Sequence, residues 1–285
     1  TASVTAAIDG AASLALSNAY GGIAAQTLFI AIADIFYPKI NLEHAAASVE
    51  NMLMGVMVVI LVSLLIFAAS IPEISVWHIH PVSLLLPVAY VFLMRIVQQT
   101  RATPMWQARH TADTHPDVPE KSHERMSHGE LRKRWLKLFG MGTALVLSGW
   151  LLTRSAEYMA DEWQLGHSLV GGLGIAVITS LPELVTAIAA VRLGSLTLAV
   201  GGILGGNAFD TLFAAVADLA YTKGSIYAYA TEKETAIAAL CLIMTGVLLV
   251  GLLHRQRRGP VGIGFESLGV ILIYVIGMAV IFLRL

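Results

Sequence analysis

Long apolar stretches alternate with short polar ones through most of this chain. Runs near the ~20 residues that a helix needs to cross a bilayer occupy 14–37, 49–70, 82–97, 136–153, 168–191, 196–221, 236–253 and 261–283. Residues 1–8 read as the tail of a further helix, closed by a turn at Asp9-Gly10. Pro38, Pro72, Pro81 and Pro260 fall at or beyond the ends of runs, where a missing N–H breaks few helix hydrogen bonds. The pattern predicts an all-α, polytopic membrane protein. One long polar stretch, 98–134, carries many charges, three prolines and several histidines, and reads as a loop between two halves. The expected organisation is a first repeat over 1–99, a loop over 100–134 and a second repeat over 135–285. That loop and the segment HRQRR at 254–258 are both basic and four spans apart, so they share a side. The positive-inside tendency makes that side cytoplasmic.

The halves repeat. Shifted by 184 residues, LALSNAYGGIAAQTLFIAIADIFY (14–37) falls on LAVGGILGGNAFDTLFAAVADLAY (198–221), with about half of the positions identical. The same shift carries the next two spans onto the last two. The copies are five spans apart, and an odd number reverses the second copy in the membrane. Inverted repeats around a midplane site are the plan of many secondary transporters. At this offset Thr1 falls on Val185, so an N-terminal span and half of the next are expected upstream. That makes about eight and a half of ten transmembrane helices here.

Composition agrees with a membrane protein: 56% of the 285 residues are hydrophobic, 13% are charged, and the mean hydropathy is +0.73. A net charge of -1 gives no basic excess for nucleic acid. Cys241 is the single cysteine, which excludes an intrachain disulfide. No nucleotide loop, dinucleotide fingerprint or nucleophile elbow is present, which argues against an enzyme and against ATP-driven pumping.

The stretch 174–213, GIAVITSLPELVTAIAAVRLGSLTLAVGGILGGNAFDTLF, holds the chemistry. Glu183 and Asp210 lie within its apolar segments, and a charge there costs roughly 3 kcal/mol and marks an ion or substrate path. Thr179, Ser180 and Glu183 fall on one helical face. Pro182 cannot donate to the carbonyl of Ile178, which adds an oxygen to two hydroxyls and a carboxylate. Hard cations such as Ca²⁺ or Na⁺ take such all-oxygen sets. Gly201, Gly202, Gly205 and Gly206 leave a strip for close helix packing. Gln26 is the repeat partner of Asp210, either as a neutral oxygen ligand or in an interhelical hydrogen bond. Asp34 and Asp218, also repeat partners, sit near span ends and read as solvated vestibule residues. His110, Asp113, His115, Asp117, His123 and His128 crowd the loop without tight ligand spacing, and read as solvated rather than metal-binding.

TSLPELVTAIAAVRLG followed by LAVGGILGGNAFDTLF resembles the second repeat of the calcium/cation antiporter superfamily, in its sodium/calcium exchanger branch. The resemblance implies a ten-helix inverted-repeat exchanger working by alternating access. It carries metal-ligand roles onto Thr179, Ser180, Glu183 and Asp210, and onto the backbone carbonyl of Ala176, where the proline argument points to Ile178. Gln26 stands where the family has Asn or another oxygen ligand. A serine that helps to ligate Na⁺ in the family is glycine in both copies, Gly22 and Gly206, which weakens sodium as the counter-ion and leaves the carboxylates untouched.

The expected function is antiport of Ca²⁺, or another divalent cation, against Na⁺ or H⁺ across a bacterial inner membrane. The partners are the lipid bilayer and inorganic cations, with no prosthetic group. The alternative is a non-transporting membrane protein of this fold acting as a metal sensor or partner subunit.

Overall fold

The computed structural model describes residues 2–37, 40–109, 111, 128–162, 169, 174–259 and 262–284. Among them the chain is a helical bundle: α1 (Ala2–Ile8), α2 (Ala12–Ile35), α3 (Leu42–Ala46), α4 (Val49–Ser70), α5 (Pro81–Ala102), α6 (His128–Glu162), α7 (Ala176–Thr179), α8 (Leu181–Arg192), α9 (Leu196–Ala220), a 3₁₀ turn (Ile226–Tyr229), α10 (Glu232–His254) and α11 (Phe265–Arg284). Six of the described helices, α2, α4, α5, α9, α10 and α11, are long and apolar enough to cross a membrane. The chain is an all-α, multi-pass integral membrane protein.

The other two expected spans take different forms. Residues 136–153 lie inside the 35-residue α6. Residues 168–191, as far as they are described, break at Ser180 into α7 and α8 around the Thr-Ser-Leu-Pro-Glu sequence. Pro182 sits in the first turn of α8, where its missing N–H costs little. The turn after α1 is as expected, with Gly10 at φ +86°, a conformation that side chains resist.

The repeat is visible element by element. A shift of 184 residues carries α1 onto the end of α8, α2 onto α9, α3 onto the 3₁₀ turn, α4 onto α10 and α5 onto α11. The copies of the central helix run antiparallel. Asn51, at the start of α4, bonds the carbonyl of Thr197 at the start of α9 (3.2 Å). Ser17, near the start of α2, bonds Glu234 at the start of α10 (2.7 Å), towards the opposite end.

The core forms around α2, which is 83% buried over its apolar window, against 22–50% for the other five. It packs on α9, α10, α11 and the broken α7–α8 segment. Close approach depends on missing side chains: a Cβ on Gly201 would stand 2.7 Å from Asn51 Oδ1 of α4. The two basic segments are adjacent, since the Arg255 guanidinium donates to the carbonyl of Arg109 (2.7 Å).

One expectation is corrected. Asp34 and Asp218 are not solvated: they are 1% and 0% exposed. A carboxylate at a span end can be capped by loop N–H groups as readily as by water, and here both are. Of the loop residues, His110, Asp113, His115, Asp117 and His123 lie outside the described residues, and His128 opens α6.

Candidate functional site

Gln26 is the fifteenth residue of α2 and Asp210 the fifteenth of α9. Because these helices are antiparallel, the two positions meet near the middle of the bundle. The Gln26 amide donates to Asp210 Oδ2 at 2.6 Å, which fixes its orientation: the NH₂ faces the carboxylate and Oε1 turns away. Oε1 is buried and has no donor among the described residues.

The break at Ser180 brings the other residues to the same place. The Thr179 hydroxyl donates to the carbonyls of Ile175 (2.8 Å) and Ala176 (3.2 Å). Its lone pairs remain for a ligand. Glu183 starts α8, where its charge suits the helix dipole, and its Oε2 is buried with no donor among the described residues.

Gln26, Thr179, Ser180, Glu183 and Asp210 all line one cavity of about 460 Å³. Ala176 does not line it. Its carbonyl accepts from Ser180 N (3.2 Å) as well as from Thr179, while Ile178 does reach the cavity. Of the two carbonyls weighed from sequence, the nearer residue is therefore that of the proline argument.

Sequence reasoning missed Asn18 and Ser3. Both line the cavity, and Asn18 Nδ2 donates to Ser3 Oγ at 2.7 Å. That leaves Asn18 Oδ1 buried without a donor among the described residues. Asn18 lies two helical turns before Gln26, a spacing that could have marked it.

Three buried oxygens without donors, on Asn18, Gln26 and Glu183, thus belong to one cavity with the Asp210 carboxylate. An unpaired buried acceptor is costly, and a hard cation satisfies several at once. Among the described residues no group of three His, Cys, Asp or Glu is placed to hold a metal ion. The donor set is two carboxylates supplemented by amides and hydroxyls.

The glycine departures have a steric reading. A Cβ on Gly206 would lie 3.0 Å from Gln26 Oε1, tighter than ordinary contact. Gln26 fills the room that a side chain at 206 would need. At Gly22 a Cβ would meet Ser180 Oγ at 3.8 Å and Asp210 Oδ2 at 3.9 Å, ordinary contacts beside the site.

Residues 134–283, which include Glu183, Asp210 and the second repeat, match the family model described as sodium/calcium exchanger protein. The chain belongs to that family. It is similar to the inner membrane protein YrbG of Escherichia coli (strain K12), 32% identical over 123 residues, which is 42% of this chain and 36% of that protein. It is also similar to the putative antiporter CaxA of Alkalimonas amylolytica, 33% identical over 127 residues, 44% of this chain and 39% of the relative. The chain thus covers well under two thirds of the length of these relatives. No solved structure matches. The matched family is described as one of sodium/calcium exchangers.

Proposed function

We propose that the chain forms the ion-binding core of a secondary antiporter that exchanges Ca²⁺, or another divalent cation, for Na⁺ or H⁺. One observation carries this reading: Glu183 and Asp210, from the broken α7–α8 segment and the unbroken α9 of the second repeat, open into one cavity with buried oxygens that lack donors among the described residues.

In mechanism, Glu183 and Asp210 supply the charge that a divalent cation needs on leaving water. Thr179, Ser180, Gln26 and a carbonyl of α7 replace part of its hydration shell, with Ala176 the position implied by family resemblance and Ile178 the one nearer the cavity. The same carboxylates bind either the divalent ion or its counter-ions, never both, and this competition couples the two fluxes. The two repeats, 1–99 and 135–285, rock about the fixed site to alternate access. Residues 100–134 and 254–258 lie on the cytoplasmic side of a bacterial inner membrane on this reading. The absence of a hydroxyl at Gly22 and Gly206 favours H⁺ over Na⁺ as counter-ion.

Ca²⁺ flux into vesicles under separately imposed Na⁺ and pH gradients tests the proposal. Uptake driven by a gradient and lost in Glu183→Gln and Asp210→Asn is the expected result. Uptake that survives both substitutions would refute the site.

A further inference from the structure

The two repeat copies end in the same clamp, at opposite ends of the bundle. At one end Asp218 accepts from the backbone N–H of His80 (2.8 Å) and Ile226 (2.9 Å) and from the hydroxyls of Ser83 (2.7 Å) and Ser225 (2.8 Å). At the other, Asp34 accepts from the backbone N–H of Leu42 (2.7 Å) and Gly264 (3.0 Å). The 184-residue shift carries Leu42 onto Ile226, Gly264 onto His80 and Ser267 onto Ser83. Pseudo-symmetry therefore provides an internal control for every flanking position.

Two positions depart from it. At the first end the Ser83 hydroxyl is hydrogen-bonded to the phenol of Tyr227 (3.1 Å). At the second the Ser267 hydroxyl donates to Glu43 Oε1 (3.0 Å), and Glu43 is the repeat partner of Tyr227. Glu266 takes the place of Val82. The first clamp shows that neither carboxyl is needed to hold the helices together.

Glu43 and Glu266 are 1% and 0% exposed. Oε2 of Glu43 and both oxygens of Glu266 have no donor among the described residues. Glu43 bonds Ser267, the residue next to Glu266 (3.0 Å), and Glu266 Oε1 would stand 2.5 Å from a Cβ on Gly264, whose N–H holds Asp34 (3.0 Å), so the three carboxyls crowd one place. The nearby cationic groups do not neutralise them. His44 is engaged with the Arg255 carbonyl (2.6 Å), and Arg255 donates to the carbonyls of Arg109 and His44. His254 stacks edge-on against Phe265. Among the described residues, the ion pairs are Arg101–Glu50 and Arg154–Asp9, neither of them here.

Two ionised carboxylates can only accept, so they cannot bond each other. One proton turns one of them into a donor and halves the buried charge. We propose that Glu43 and Glu266 form a proton-binding site that holds one proton between them, beside the basic segments. This rests on the clamp geometry alone and not on the cation-site reading.

Burial, then the charges of Asp34 and Glu266, hold Glu43 well above the ordinary carboxylate range. Its proton is therefore released only well above the pH at which an ordinary carboxyl gives it up. Release sets like charges on α3 and α11, the two elements that Asp34 joins. Because the folded-state affinity for the proton is raised, the stabilisation is full at acid pH. It declines as pH rises above the unfolded carboxylate value near ~4.3 and through the folded one.

Infrared titration of the reconstituted protein, paired with thermal melting between acid and alkaline pH, tests this. Wild type should show a protonated-carboxyl carbonyl band that persists above the ordinary carboxylate range and disappears on further alkalinisation, with a falling melting temperature. Glu43→Gln combined with Glu266→Gln should remove the band, and Glu266→Val, the residue of the other copy, should flatten the melting curve. If Glu266→Val does not fold, the Gln variants, which keep the shape, carry the test. A wild type without the band, a band that survives in the double Gln variant, or a band displaced by added Ca²⁺ would overturn the proposal.

Discussion

Gln26 and Asp210 occupy the same position in the two repeat copies, 184 residues apart, and the amide of one donates to the carboxylate of the other at 2.6 Å. One copy supplies a charge and the other a neutral donor and acceptor. At this pair of positions the two-fold plan is electrostatically one-sided.

Gln26 orients Asp210 while offering its own Oε1 to the cavity. Gln26→Ala should leave the carboxylate without that donor and lower the apparent Ca²⁺ affinity by about tenfold, the value of one charge-assisted hydrogen bond. Gln26→Asn should retain more of it. Concentration dependence of uptake checks both; equal affinity in wild type and Gln26→Ala would detach Gln26 from the site.

The two glycines beside the site should respond differently. Gly206→Ala pushes a methyl group to 3.0 Å from Gln26 Oε1 and should cost about 1 kcal/mol or more of stability. Gly22→Ala meets only ordinary contacts and should melt near wild type. Equal melting temperatures for the pair would remove the steric explanation for Gly206.

Asp218 accepts four hydrogen bonds at 2.7–2.9 Å while 0% exposed. Asp218→Ala strands four buried donors and should destabilise by roughly 3–5 kcal/mol. Asp218→Asn keeps one oxygen and should cost less. Melting in detergent distinguishes a clamp from a solvated carboxylate, whose removal would change little.

His80 caps α5, its Nδ1 accepting from Val82 N–H at 3.2 Å. The ring must therefore be neutral, and burial lowers its pKa against the pull of Asp218 and Glu73. A depressed folded value means stability that is full above the unfolded pKa near ~6.5 and lost as pH falls below it. His80→Asn, which can cap without titrating, should flatten the acid side of the melting curve. An unchanged acid limb would show that other groups control it.

Much of this was legible in the sequence because the repeat carries it. The helix-by-helix correspondence, the antiparallel copies and the pairing of Gln26 with Asp210 all follow from one offset. The Thr-Ser-Leu-Pro-Glu break was legible through Pro182. Asp34 and Asp218 were misread because their donors come from loops distant in sequence, such as His80 and Gly264, and hydropathy cannot say whether a span end faces water. Asn18 was missed because an amide among small residues carries no charge cost to flag it. The pair Glu43 and Glu266 becomes visible only when α3 and α11 are in contact.

The central claim is that Glu183 and Asp210 share one ion. Equilibrium Ca²⁺ binding to wild type, Glu183→Gln, Asp210→Asn and the double variant tests it most directly. The account expects each single substitution to weaken binding by at least about tenfold and the double variant to lose far less than the sum of the two. Wild-type affinity in either single variant, or losses that simply add, would contradict it.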